Sequence, residues 1–302
     1  MDDLILRRNL LAAGYQRDEI ARMRHRGELI GIRRGVYVEP PEQPPPVRDV
    51  HERLLRACLH DISPEAVVSH ESAALLHDLP VWGTRLERVH FTRDRSSGGR
   101  RGRQLHLHSA PLADGDVVEL AGVRVTSLAR TVADLSRTLP YRQAVAAGDQ
   151  ALAAGLDRDQ LEQMLGRMRH WPGVAGARRV AAFLDGRSES PGESLSRVVL
   201  DRLGLLPVEL QYEVFGPTGT LAGRSDFGWP EQRTLGEFDG RVKYGRLLRP
   251  GQTAADVLFA EKQREDALRD LGWQVVRWIW DDLQRPQVIR DRLQRAFARA
   301  AR

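Results

Sequence analysis

The stretch RSDFGWPEQRTLGEFDG, Arg224 to Gly240, sets two strand-like runs on either side of Pro230-Glu231-Gln232-Arg233, a turn sequence. A turn centred on Glu231-Gln232 puts Asp226 opposite Glu237 and Arg224 opposite Asp239. Directly opposed strand residues have Cβ atoms about 4.5–5.5 Å apart, and like charges that close are unfavourable unless something lies between them. A hard divalent cation, Mg²⁺ or Mn²⁺, is suited to that place because it takes oxygen ligands. Asp226 and Glu237 are therefore the candidate metal ligands. A third acid, Glu193, opens the helix-like run ESLSRVVLDRL, whose Leu195, Val198, Val199 and Leu203 form an apolar stripe. Taken alone, a glutamate in a first turn also complements the helix dipole.

Only two of the 46 basic residues are lysines, Lys243 and Lys262, and both follow GEFDG. In an arginine-dominated chain they mark places suited to a compact ammonium, and so to a phosphate or an attacking water. Farther on, EKQREDALRDLGWQVVRWIW gives a helix, a stop at Gly272 and a strand in which Val276, Trp278 and Trp280 alternate with Arg277. Glu261, Lys262, Glu265, Asp266 and Arg269 fall at four-residue spacing, the pattern of a salt-bridged solvent face.

Working back to the start, Leu4, Leu6, Leu10 and Leu11 predict a helix that stops at Gly14. A second helix runs from Arg17 to Arg26 and ends at Gly27, with Ile20 and Met23 inward and Arg22, Arg24 and Arg26 outward. LIGIRRGVYV then gives a tight hairpin around Arg33-Arg34-Gly35. A short helix followed by a basic hairpin is how a winged helix meets duplex DNA, with the wing on phosphates. Arg17, Arg22, Arg24, Arg26, Arg33 and Arg34 are the candidate DNA contacts.

EPPEQPPPV, Glu39 to Val47, has five prolines and reads as a stiff linker. Beyond it a mixed region follows. Helices are expected at 47–60, 69–77, 127–137, 142–154, 159–169 and 173–184, and strands at 88–92, 104–109 and 117–126. The loop RDRSSGGRRGR carries five arginines against one aspartate and has little to pack. Its Arg100 and Arg101 are further candidate phosphate contacts. His70, His77, His106 and His108 invite a zinc reading. His70 and His77 lie seven apart rather than four, and no cysteine or carboxylate completes a tetrahedral set at suitable spacing, so structural or surface histidines are expected. DGRSESPGES, from Asp185, marks the last boundary. The expected modules are 1–38, a linker at 39–47, 48–186 and 187–302.

The bulk numbers agree with a nucleic-acid partner without requiring one. Net charge is +5 over 302 residues, a modest lean towards polyanions. The single cysteine, Cys58, excludes an internal disulfide. No apolar run approaches the roughly 20 residues of a membrane helix. The opening MDDLILRRNL lacks a signal-peptide layout. A cytoplasmic protein without membrane association is expected.

The helix glutamate, the S-D-F strand, E-x-D-G and R-x-D-x-L-x-x-x-G-W-x-V-x-R resemble the very-short-patch-repair endonuclease-like branch of the PD-(D/E)xK nucleases over about residues 188–283. LLAAGYQRDEIARMRHRGELIGIRRGVYV, SHESAALLHDLP and GVRVTSLARTVADL resemble the AbiEi family of type IV abortive-infection antitoxins over about residues 1–180. The fold class implied is α/β (α+β): a winged helix-turn-helix, a mixed middle domain and a restriction-endonuclease-like α/β domain. The resemblance implies metal at Asp226 and Glu237 with Glu193 as third acid. The superfamily's E-x-K would put lysine at 239, where this chain has Asp239; Lys243 or Lys262 is then left to supply the charge. The activity implied is Mg²⁺-dependent DNA cleavage in phage defence or DNA repair. The alternative is an antitoxin-type regulator with an inactive nuclease fold and a toxin-like partner protein.

Overall fold

The computed structural model describes residues 3–83, 86–240 and 254–300. The chain is mixed α/β, with three sheets and twelve helices among the described residues. It divides into two compact units. Met1–Thr138 and Asp159–Val174 form one, and Leu139–Arg158 and Ala175–Arg302 form the other.

The first unit opens with β1 (Ile5–Leu6), α1 (Arg7–Ala12), α2 (Arg17–His25), β2 (Ile30–Arg33) and β3 (Val36–Val38). The strands form a sheet in the order β1-β3-β2. The helix expected from Leu4 starts only at Arg7. Ile5 and Leu6 instead pair with Tyr37 and Val36 on the open edge of the wing, and Leu6 packs with Val36 and Ala57. Edge pairing outcompetes one more helical turn because it satisfies backbone groups and buries Leu6 together. Gly14 and Gly27 sit at φ +96° and +77°, the left-handed stops expected after α1 and α2. Ile20, Leu29 and Tyr37 make the small core beneath α2.

Next come α3 (Val47–Leu59), β4 (Val67–Val68), α4 (His70–Leu76), β5 (Val89–Arg93), β6 (Arg100–Arg101), β7 (Leu105–Ser109), β8 (Val117–Leu120), β9 (Val123–Thr126) and α5 (Leu128–Thr138). Six of these strands form a sheet in the order β6-β7-β5-β4-β9-β8. β5 runs parallel to β7, and β4 parallel to β9. Leu54, Leu55 and Cys58 of α3 pack on Val68, Phe91 and Val125 of this sheet.

Two expectations change here. The single strand expected over 117–126 is a hairpin, because Ala121 and Gly122 both take left-handed φ, +48° and +77°, the geometry of a two-residue hairpin turn. The arginine-rich loop, read as having little to pack, contributes the edge strand β6, paired with β7 through Arg100–Leu107 and Arg101–His106.

After α6 (Tyr141–Ala153), which belongs to the second unit, α7 (Arg158–Arg167) lies mostly in the first. The second unit continues with α8 (Val174–Phe183), α9 (Pro191–Arg202), β10 (Glu209–Phe215), β11 (Leu221–Trp229) and β12 (Thr234–Phe238). It ends with α10 (Ala254–Asp270), β13 (Gln274–Trp278), α11 (Trp280–Leu283) and α12 (Pro286–Ala300). The strand order is β10-β11-β12-β13, antiparallel except for the parallel β12–β13 pair.

Period-two alternation sends successive side chains to opposite faces. On one face Phe227, Trp229, Phe238 and Trp278 pack with Leu195, Val199 and Leu200 of α9 and with Ile289 and Leu293 of α12. On the other, Leu235 and Val214 pack with Leu268 of α10 and with Trp273. Gly192 is required where α9 meets the sheet: a Cβ there would stand 1.9 Å from Phe238 Cε1.

Candidate functional sites

The turn between β11 and β12 lies where the sequence puts it. Phe227 pairs with Gly236, Gly228 with Leu235, and Trp229 with Thr234. Asp226 and Glu237, one residue on, fall on the α10 face by alternation. Each carboxylate is held by the protein. Asp226 Oδ2 accepts the Phe238 amide at 2.7 Å. Glu237 is buried, and each of its oxygens accepts from a guanidinium at 2.8 Å, Oε1 from Arg264 of α10 and Oε2 from Arg277 of β13. Arg277 also pairs with Glu265 at 2.6 Å and Glu261 at 3.5 Å.

The sequence reading missed both arginines. No local pattern signals them: Arg277 becomes the neighbour of Glu237 only through the parallel pairing of β12 with β13, and Arg264 sits two residues beyond Lys262 on α10. The repulsion expected between Asp226 and Glu237 is thus offset by two cations. Lys262 is exposed on α10, and Lys243 lies outside the described residues. The Asp239 amide donates to Trp278 O at 2.9 Å.

Glu193 sits in the first turn of α9. Its amide donates to Ser190 Oγ, and its carboxylate accepts from Ser190 Oγ at 2.7 Å, the Glu189 amide at 2.8 Å and Gln211 Nε2 at 2.8 Å. Ser190 is the N-cap of α9, and the Glu193 carboxylate reaches back to its hydroxyl and to the Glu189 amide, so these bonds hold the start of the helix. As placed, the acids do not form a ready seat for a hard divalent ion. Among the described residues they supply no three ligand atoms in mutual reach.

At the wing, Arg7, Arg24, Arg33, Arg34 and Tyr37 line an open cleft of about 270 Å³ between α2 and the β2–β3 hairpin. The Arg24 guanidinium lies 5.7 Å from the centre of the Tyr37 ring. Arg33 is anchored by Ala57 O at 3.3 Å and Asp61 at 3.5 Å. Arg26 is exposed, as expected, and pairs with Glu28 at 2.6 Å. Arg17 and Arg22 lie on the exposed side of α2, and Arg100 and Arg101 on an exposed sheet edge.

The middle region holds a cluster that sequence spacing did not reveal. β5 and β7 run in parallel with His90 beside His106 and Thr92 beside His108. α4 then brings His70 onto the same face, where its ring stacks on His108 at 3.8 Å. Burial holds all four imidazoles below the ordinary histidine range. His90 is lowered to about 3 and His108 to about 2, with neighbouring imidazoles adding to the effect. His77 stands apart, bound to Thr126 O. His90 was absent from the sequence reading because a histidine alone in VHFTR has no local partner.

No family model matches the sequence. Two curated proteins of Mycobacterium tuberculosis do: uncharacterized protein MT2308 of strain CDC 1551 / Oshkosh and uncharacterized protein Rv2248 of strain ATCC 25618 / H37Rv. Each is 32% identical over 183 residues, 60% of this chain. The chain spans 64% of the length of each of these relatives. It is a distant relative of mycobacterial proteins whose own function is uncharacterized. Among solved structures, the RV2827C protein from Mycobacterium tuberculosis superposes with a TM-score of 0.42 at 14% identity, covering 71% of this chain and 84% of that one; a likeness of that size carries no argument. No described helix is long and apolar enough to cross a membrane.

Proposed function

We propose that this chain is a DNA-binding protein that grips the duplex backbone with its N-terminal winged segment, in the manner of an antitoxin-type regulator. The observation that carries this is the arginine-lined cleft between α2 and the wing. Four arginines line an open concavity there, and of these four only Arg33 pairs with a carboxylate, Asp61, among the described residues. Phosphate oxygens are the ligands such a set favours, through bidentate charge-assisted hydrogen bonds. In this reading 1–38 is the DNA-gripping module, 39–47 the linker, 48–186 the middle module and 187–302 the nuclease-like module. The resemblance drawn from sequence adds a toxin-like protein as partner.

A second reading, metal-dependent cleavage of DNA at Asp226 and Glu237, is favoured by the strand register that places both acids on the α10 face. It meets an obstacle in the two arginines on Glu237. As placed, the residues do not fit Mg²⁺ or Mn²⁺.

One experiment addresses both readings. Duplex binding by the full chain is followed across a salt series, and plasmid integrity is followed with Mg²⁺ or Mn²⁺ present. Arg7→Ala/Arg34→Ala should weaken binding to all sequences about equally and flatten the salt slope by roughly one to two. Unchanged affinity and slope would remove the winged-helix reading. Cutting that disappears in Glu237→Gln would move the weight to the second reading.

A further inference from the structure

We propose that His70, His90 and His108 form a binding site for a divalent transition metal of the zinc class. One ligand nitrogen from each lies within 4.8 Å of the others. His90 Nδ1 and His108 Nε2 are 3.1 Å apart. Zinc–nitrogen bonds of about 2.0–2.1 Å in a tetrahedron set ligand atoms about 3.3–3.4 Å apart, so that pair already has nearly the spacing an ion imposes. Closing the third histidine onto it is a matter of side-chain adjustment.

The surroundings aim these rings. His70 Nδ1 meets Ser69 Oγ at 3.0 Å, which in turn accepts from Thr92 Oγ1 at 2.8 Å. That leaves Nε2 of His70 to face the cluster. The His90 amide donates to Ser72 Oγ at 2.8 Å, and Ser72 Oγ is bound by buried His51 Nε2 at 2.9 Å. The Ser69 bond to the His70 ring is the kind of outer hydrogen bond that fixes tautomer and orientation in metal-binding histidines, while the Ser72 bond holds the His90 backbone in place. His70 also takes a left-handed φ of +50°, an uncommon state for a side chain of its size. Such strain collects at sites where function needs one geometry.

A second observation points the same way. Glu71 Oε2 is sheltered from solvent and makes no hydrogen bond among the described residues, and it stands 3.3 Å from His90 Nδ1. A carboxylate in that position offers the site a counter-charge, and three protein ligands leave a position open for water or a substrate atom. Three imidazoles suit Zn²⁺, Co²⁺ or Ni²⁺ and are poorly matched to Mg²⁺. This site, built within the first unit, therefore differs in chemistry from the acids of the second.

The test uses the full chain after chelator treatment, with Zn²⁺ uptake measured by equilibrium dialysis and Co²⁺ as a visible-absorption probe. The expected result is one Zn²⁺ per chain and the strong visible bands of near-tetrahedral Co²⁺. His90→Gln and His108→Gln should each weaken uptake by more than roughly a hundredfold, since even outer partners are worth about 10–100-fold. His77→Gln, whose ring is bound to Thr126 O, should leave it unchanged. Uptake that persists in His108→Gln would assign the metal to surface histidines and overturn the proposal. If His108→Gln fails to fold, the wild-type Co²⁺ spectrum decides: tetrahedral bands support the site, and their absence overturns it. Folded wild-type protein that takes up no Zn²⁺ overturns it as well.

Discussion

Arg130 in the first unit and Glu237 in the second are built on the same plan with the signs reversed. Arg130 donates to Asp134 Oδ2 at 2.8 Å and to Asp116 Oδ2 at 3.0 Å, while Trp171 lies 5.0 Å from its guanidinium carbon. Glu237 accepts from Arg264 and Arg277. Access separates the two. The Arg130 side chain is 1% exposed and its two acids no more than 4%, whereas Arg264 and Arg277 are 35% and 32% exposed. A closed ionic centre can only hold structure together. A centre whose cations reach water can release one partner and take another. That is why Glu237, and not Arg130, remains a candidate for chemistry even with its charge balanced.

The largest effect should follow from breaking the closed centre. Arg130→Met keeps most of the volume but leaves Asp116 and Asp134 buried, with Arg167 and Arg137 as their remaining partners. Removing one member of a buried ionic set costs about 3–5 kcal/mol, and the surviving pairs put the expected loss near 3 kcal/mol. Denaturation followed by amide exchange over 128–138 reads it. A loss under about 1 kcal/mol would mean that burial does not separate the two centres as argued.

Glu237→Gln should cost less, about 1–2 kcal/mol, because the two arginines can turn to water once the carboxylate is gone. Strand register alone gives the opposite sign, since removing one of two opposed acids should relieve repulsion. Amide exchange in 234–238 measures it, with thermal melting in Mg²⁺ and Mn²⁺ as the companion. With the arginines in place the melting midpoint should not respond to either metal. A Glu237→Gln protein as stable as wild type, together with a wild-type midpoint that rises with metal, would return the site to an acid pair awaiting an ion.

How much of this was legible in the sequence follows from range. The β11–β12 register was readable because a turn sequence and alternating residues specify it locally. The left-handed stops at Gly14 and Gly27 were readable for the same reason. The arginine clamp required Arg277, forty residues from Glu237, to arrive beside it by a parallel crossover, and no local pattern encodes that. Leu6 was read as helical because its spacing fits a helix, and only the edge of a strand thirty residues later draws it into the sheet. The histidine cluster is the extreme case. His70, His90 and His108 come from a helix start and two parallel strands, so their spacing in sequence says nothing of their convergence. Parallel pairing hides sites from a linear reading more than hairpins do.

The smallest effect tests a third way of burying a titratable group, as the neutral species. His51 is buried, with one ring nitrogen on Leu86 O at 2.8 Å and the other on Ser72 Oγ at 2.9 Å. Burial lowers its pKa below the ordinary 6.5, against the raising effect of the Leu86 carbonyl and Glu52. The unfolded chain therefore binds a proton near pH 6.5 that the folded chain refuses. Stability from this group is complete above about pH 6.5 and drains away as the pH falls from there towards the depressed folded value, at no more than about 1.4 kcal/mol per pH unit. Removing the titrating group in His51→Gln should lower stability at pH 7.5 and flatten the dependence between pH 7 and 5 by up to one proton, as read from urea midpoints at several pH values. If the variant keeps the full wild-type slope, His51 does not titrate differently in the two states, and the acid sensitivity of the first unit lies elsewhere.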